Sequence, residues 1–537
     1  GGSGSGSGGG SGGGSGRGSG GGSGSGSGSS SSGGGSGSGS SGGGSSSGSG
    51  GGVDASAPVG ASVLQFHNHI NRDGFFVDSA LTAAKAASFA RDTTFAGKVT
   101  GNVYASPLYV ESGAGGKGTF YLATEGGTIF ALDETTGAVT WSQNVATPAN
   151  ATGAGCGNIG PIGITGTPAI DLASRLIIFS AASADASKNI ATHTIHALSI
   201  DDGKEAWKVD VSTLKDPTGV AFSPQPQNQR SAVLIVNGVA YVAYGGHYGD
   251  CGTYHGWVVG VPLSGTGAKA WATQVKKGGI WGSGGPSSDG QSVYVTTGNG
   301  SDANTTWANS EGLFRLDPGP TFSGAAADYF APYNWYNLDQ GDTDLSGSGP
   351  LVIDAPEMTP SKLAMALGKD GYLYLVDRTN LGGIATQSQL AGVGALKVQS
   401  GEISNAAAWA HVGSSTYVVL RPNGNNGGAG CPSGSGDLVG VKLDPTAQDK
   451  MSVVWCATSN GNGSPSITTT DGNTDPLVWI YGAGGTDHLY ALNLTTGAVV
   501  GTSTDTGAKV RSFTTPIVVH GRVFVGGDGQ LFAFKTK

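Results

Sequence analysis

The chain has 537 residues, 100 of them glycine, with 28 Lys and Arg against 37 Asp and Glu, for a net charge of −9. Only 12% of residues are charged, so no basic face exists to neutralise a phosphate backbone, and nucleic-acid binding is excluded. No apolar run is long enough to form a bilayer-spanning helix.

Residues 1–52 are Gly and Ser apart from Arg17. With no apolar side chains to bury, the stretch cannot offset its ordering entropy and reads as a disordered tether. Gly1 in place of Met is expected to mark a trimmed chain whose export signal has been removed. The tether resembles the region after the lipidated cysteine of bacterial lipoproteins. It is expected to hold the protein outside the cell or in the periplasm, with a possible lipid anchor at the removed N-terminus. Residues 53–94 read as a lead-in segment. In it, His67 and His69 are expected to alternate on a short strand and so face opposite ways.

From residue 95 the chain repeats. One unit runs from Gly118 to Trp141. Two β-type runs flank the turn signal Glu125-Gly126-Gly127, Ala131-Leu132-Asp133 leads into Thr135-Thr136-Gly137, and a short strand closes on Trp141. The phrase recurs at His196-Ala197-Leu198 with Trp207, at Val259-Gly260-Val261 with Trp271, and at Tyr490-Ala491-Leu492 with Thr495-Thr496-Gly497. Weaker copies lie at Leu373–Arg378 and at Val439-Gly440-Val441 with Trp455; Leu531–Phe534 is truncated. Pro-containing runs such as Ala105–Val110, Thr165–Ile170, Gly347–Val352 and Thr514–Val518 supply innermost strands, with Pro tolerated near a strand start.

A unit of about 40–50 residues matches a propeller blade. The expected fold is therefore all-β, an eight-bladed β-propeller of four-stranded antiparallel blades over 95–537. The last unit stops after three strands. Phe95–Val99 is expected to supply the fourth, closing the ring and leaving no free sheet edge.

The Ala-Leu-Asp, Thr-Thr-Gly and Trp phrase resembles the repeat of the quinoprotein (PQQ-type) dehydrogenases and their non-catalytic propeller relatives. Val63–Gly74, Ile162–Pro168, Asn228-Gln229-Arg230, Tyr254–Trp257 and Gly278–Trp281 resemble phrases of a group of secreted bacterial PQQ-like repeat proteins. The four cysteines in such an exported chain suggest two disulfides. Loops entering a blade and loops joining its middle strands share one face, which pairs Cys156 with Cys251 and Cys431 with Cys456, the last at the exit of the sixth blade.

The same resemblance implies a cofactor frame. Trp281 matches the residue that stacks on the quinone, Lys369 the one that contacts its oxygens, and Asn299 a Ca²⁺ ligand. Asp344 falls near the catalytic base and would also serve the metal. Two parts of the family's pattern are missing. The adjacent cysteine pair is absent, and Gly249-Asp250-Cys251 stands where a Ca²⁺-binding Glu is expected. His247, Asp250 and His255 read as a polar loop. Two functions follow. One is a surface-tethered binding or scaffolding module whose loops engage a glycan, peptide or protein. The other is a PQQ- and Ca²⁺-dependent dehydrogenase of an alcohol or sugar.

Overall fold

The computed structural model describes residues 62–150, 155–301, 306–398, 401–423, 430–432, 435–504, 507 and 509–537. The Gly/Ser stretch read as a tether lies outside the described residues. From Leu108 onward the strands form eight sheets in chain order, each built outward from an innermost strand. Blade 1 comprises Leu108–Val110, Thr119–Thr124, Thr128–Asp133 and Val139–Asn144, paired antiparallel throughout. The eight sheets make an eight-bladed β-propeller.

Thr119–Thr124 is buried at every position, whereas Val139–Asn144 is almost wholly exposed. A middle strand packs against a neighbouring blade on both faces, so its sequence is a continuous apolar run without alternation. The core accordingly lies between blades. Leu108, Tyr121 and Ala131 of blade 1 share one cluster with Ile170, Phe179 and Leu198 of blade 2.

The repeat phrase is explained by contacts between blades. Trp141 donates from Nε1 to Ile200 O of blade 2 (3.1 Å), Trp207 to Leu263 O of blade 3 (2.8 Å), and Trp455 to Leu494 O of blade 7 (2.7 Å). Each such bond contributes about 1 kcal/mol. The turn glycine of the receiving blade makes room for the indole. A Cβ on Gly497, at φ 70°, would stand 2.6 Å from the Trp455 ring. Ahead of the glycine, Asp133 Oδ1 accepts from the Thr135 and Thr136 amides and the Thr136 hydroxyl, which is why Asp and Thr recur there.

Closure differs in detail from the expectation. The fourth strand of blade 8 is Phe89–Arg91, antiparallel to Gln530–Thr536, rather than Phe95–Val99. Residues 95–99 run on as a wedge between the first and last blades. Phe95 stands 6.1 Å from Phe120 and 5.5 Å from Phe524. Gly97, at φ 55°, lies so close to Leu531 O that a Cβ would be 2.2 Å away, which prevents a regular strand.

The lead-in forms a ring around the axis. Between residues 63 and 78 it bonds the innermost strand or its flanks in all eight blades, in order. Val63 pairs with Tyr109, Leu64 O accepts from Ile170 N, and the Gln65 side chain brackets Ile235. Ile70 O, Asn71 O, Asp73 O and Gly74 O accept from Ser288, Val352, Trp409 and Ile467. Phe75–Val77 runs parallel to Ser466–Thr469, and Asp78 takes Gly521 N. Phe66 crosses the axis to touch Ala232 of blade 3 and Ala406 of blade 6. His67 and His69 therefore lie in tight turns and not on a strand, because the chain must bend to follow the ring; His67 and Asn68 have φ 54° and 67°. Arg72, 1% exposed, donates to Phe66 O, Pro286 O and Val233 O.

Both expected disulfides are present, with Cα atoms 5.9 Å apart for Cys156–Cys251 and 5.6 Å for Cys431–Cys456. Cys456 sits in the outer strand Met451–Ala457 and not in an exit loop.

Candidate functional site

Loops that enter blades 3, 4, 5 and 8 converge at the axis with the middle loops of blades 4 and 5. They bring Trp281, Asn299, Asp344 and Lys369 together. Lys369 Nζ lies 2.5 Å from Asp344 Oδ2, 3.2 Å from Asp342 Oδ1 and 5.5 Å from the centre of the Trp281 ring. The other oxygen of Asp344 accepts from the backbone N–H of Asn299 at 2.8 Å. Burial works against the charge on Lys369, but the Asp344 carboxylate outweighs it and holds the ammonium above its ordinary pKa.

A second layer of carboxyls lies behind. Asp339, on the short helix Trp335–Gln340, accepts from Gly300 N (2.7 Å) and Ser310 Oγ (2.8 Å). Burial, helped by the Asp344 charge, pushes it up to about 6. Glu311 accepts from Leu345 N at 2.6 Å, and its other oxygen is buried without a partner. Burial and the Asp344 charge raise it well above the usual carboxylate range.

Arg230 and Phe513 complete the site and were not expected there. The Arg230 guanidinium is stacked 4.7 Å from the Trp281 ring centre and 4.6 Å from that of Phe513. Its Nε donates to Trp281 O at 3.2 Å. Burial lowers it to about 10. Phe513 holds φ 77°, an unusual value for a bulky residue that marks a constrained site. Arg230 lay within a quoted motif, yet a loop arginine carries no signal of which ring it will meet. Phe513 carried no signal at all.

The blade-3 loop does not converge on an ion. Asp250 accepts from Tyr254 Oη (2.6 Å) and faces Lys277 (3.7 Å), while His255 Nδ1 bonds Thr273 O. Among the described residues, no group of three or more His, Cys, Asp or Glu side chains is placed to hold a metal.

A calcium ion takes six to eight oxygens, several of them anionic. Here the Asp344 carboxylate is compensated by Lys369 and bonded by Asn299 N, and Asp250 faces away toward Tyr254 and Lys277. A planar quinone needs an open aromatic face, and Arg230 already lies over one face of Trp281. As arranged, these residues do not fit the pair of groups.

Radial blades locked by a Trp and a Thr-Thr-Gly turn define a propeller of PQQ-like repeats. Residues 96–248 match the family model described as outer membrane protein assembly factor BamB, in keeping with PQQ-like repeats. No curated protein matches the chain in sequence. Among solved structures it is similar to a europium-containing methanol dehydrogenase, at TM-score 0.58 and 15% identity over 87% of this chain and 89% of that one. It is also similar to the quinohemoprotein alcohol dehydrogenase ADHIIG of Pseudomonas putida HK5, at 0.57 and 14% over 89% and 80%. The quinohemoprotein alcohol dehydrogenase of Comamonas testosteroni follows at 0.54 and 14% over 88% and 80%. At such identity the likeness is one of fold.

Proposed function

We propose that this chain is an exported binding or scaffolding propeller whose loop-bearing face engages a partner. The observation that carries the reading is the position of Arg230, which is stacked on the Trp281 ring and takes up one of its two faces. The ring formed by residues 63–78 supports it, since Phe66 packs between Ala232 of blade 3 and Ala406 of blade 6. Two disulfides suit a non-reducing compartment outside the cytoplasm. Among the described residues no helix is long and apolar enough to cross a membrane. The Gly/Ser stretch serves as a tether to the surface. A family model named for an assembly factor is in keeping with a partner-binding role, and the partner classes are a glycan, a peptide or a protein.

The convergence of Trp281, Lys369, Asn299 and Asp344 favours a second reading, a quinone- and calcium-dependent dehydrogenase acting on an alcohol or sugar. Adding PQQ and Ca²⁺ to the purified chain separates the two. The binding module shows neither a thermal upshift nor dye reduction with alcohols. A large upshift together with dye reduction favours the dehydrogenase.

A further inference from the structure

The first and last blades meet along a seam that His520 bridges. His520 and Gly521 form the two-residue turn between Ile517–Val519 and Arg522–Gly527, the two inner strands of blade 8. Their φ values are 49° and 72°, the left-handed pair that such a hairpin turn demands. Histidine tolerates that region better than most residues. The turn lies at the end of the blades opposite the loop face, and the lead-in anchors it: Asp78 Oδ2 accepts from Gly521 N at 2.6 Å.

Held by this turn, the imidazole reaches into blade 1 and meets a carboxylate at each nitrogen. Nδ1 lies 2.5 Å from Glu134 Oε1 and Nε2 3.5 Å from Glu111 Oε1. Glu134 follows the third strand of blade 1, Thr128–Asp133, and Glu111 its innermost strand, Leu108–Val110. The Tyr109 ring stands edge-on at 5.9 Å, and its hydroxyl donates to Glu134 Oε2 at 2.7 Å. Arg522 of blade 8 donates to Glu134 O (2.9 Å) and lies 3.5 Å from Glu134 Oε1. Glu111, Glu134, Tyr109 and Arg522 are the groups that face the ring from the two blades, with Asp78 against the backbone of the turn.

A neutral imidazole carries one N–H and one lone pair. Between two carboxylates it donates to one and turns its lone pair on the other. Only the imidazolium donates on both sides, so the arrangement selects the protonated ring. The side chain is 39% exposed, which lets it exchange protons with solvent. Burial works against its charge, but Glu134 and Glu111 outweigh that and raise it above the ordinary 6.5.

We propose that His520 is a proton-operated latch on the closure of the ring. Protonated, it ties blade 8 to both carboxylates of blade 1. Neutral, it releases one of them, and Arg522 is left to hold Glu134 across the seam. The strand Phe89–Arg91 and the Phe95 wedge still close the propeller, so the latch governs local opening of the seam and not unfolding. A histidine raised by folding contributes stability that is complete below 6.5 and is lost as pH climbs through the raised value. The seam is therefore tightest in mildly acidic surroundings, whatever the loop face binds.

Hydrogen exchange of the full chain at about pH 5 and pH 8, corrected for the intrinsic pH dependence of exchange, tests the latch. Residues 517–525 should lose protection several-fold at the higher pH, while the strands of blade 4 do not change. His520→Asn keeps a residue suited to the left-handed turn and removes the titrating ring; its seam should show no such response. Glu111→Gln should shrink the response, and it carries the test if His520→Asn fails to fold. A seam in the parent that ignores pH, the same response in His520→Asn, or a full response in Glu111→Gln would overturn the latch. An equal loss in blade 4 would do so too, because it would mark a change in the whole propeller.

Discussion

Arg230 and Trp281 form a cation–π pair at 4.7 Å, closed on its far side by Phe513. The pair has consequences for stability as well as for ligands. Truncating the ring removes the surface on which the guanidinium rests and leaves a half-buried cation with one aromatic wall. Trp281→Ala is expected to cost about 2 kcal/mol, read from chemical denaturation. The same variant should bring no new response to PQQ and Ca²⁺. A Trp281→Ala protein as stable as the parent would show that the stack is incidental.

Arg72 is the most demanding residue of the ring segment. It is fully buried, burial lowers it to about 9, and its three donors hold carbonyls from its own segment, blade 3 and blade 4. Arg72→Met orphans all three acceptors. Each buried unpaired carbonyl costs about 1–3 kcal/mol, so a loss of about 3 kcal/mol or more is expected in a urea titration. Arg72→Lys should recover less than half, because one ammonium cannot reproduce the planar fork. Full rescue by Lys would mean that charge alone, and not the three-way bonding, matters.

Much of this architecture could be read from the residues. Trp141, Asp133 and Gly137 each satisfy a local rule that repeats, so blade number and strand order follow from spacing. The disulfides followed once the loops were assigned to one face. The ring segment was not legible. Val63–Asp78 bonds six of the eight blades through backbone groups, and backbone bonding of that kind leaves no periodic trace in side-chain type. The closing strand was displaced for a similar reason: Phe89-Ala90-Arg91 is too short to show a pattern, while Phe95 and Val99 mimic a strand around Gly97. Trp281, Asn299, Asp344 and Lys369 were found by resemblance to a family frame. That frame could not reveal that Arg230, from a different loop, lies over one face of the ring.

Closure by the N-terminal side predicts a sharp boundary for truncation. A chain beginning at residue 95 loses Phe89–Arg91 and exposes the edge of Gln530–Thr536. It also loses every bond of the ring segment. It is expected to unfold far below a chain beginning at residue 62, or to aggregate through the open edge. Supplying residues 62–94 as a separate peptide should restore part of the lost melting temperature. Equal stability of the two chains would show that the first blade and the last hold together without the borrowed strand.

Glu125 gives the stability a pH dependence that can be isolated. Its carboxyl is fully buried at the middle turn of blade 1, accepts Gly163 N at 2.7 Å on one oxygen, and leaves the other unpartnered. Burial raises it to about 7, against the bonds from Gly163 and Thr165 and the nearby Arg511, with Asp528 adding to the rise. An acid whose folded pKa is raised binds its proton more tightly folded than unfolded. Its share of stability is therefore greatest below about 4.5 and is lost as pH climbs to about 7. The buried histidines His67, His193 and His247, lowered by burial to about 3, 4 and 4, act in the opposite sense and destabilise as pH falls below 6.5. Comparing Glu125→Gln with the parent cancels their effect. The variant should match the parent at pH 4 and exceed it by up to about 3 kcal/mol at pH 8, with the difference growing between those limits. A difference independent of pH would show that Glu125 keeps the same charge in the folded and unfolded chains.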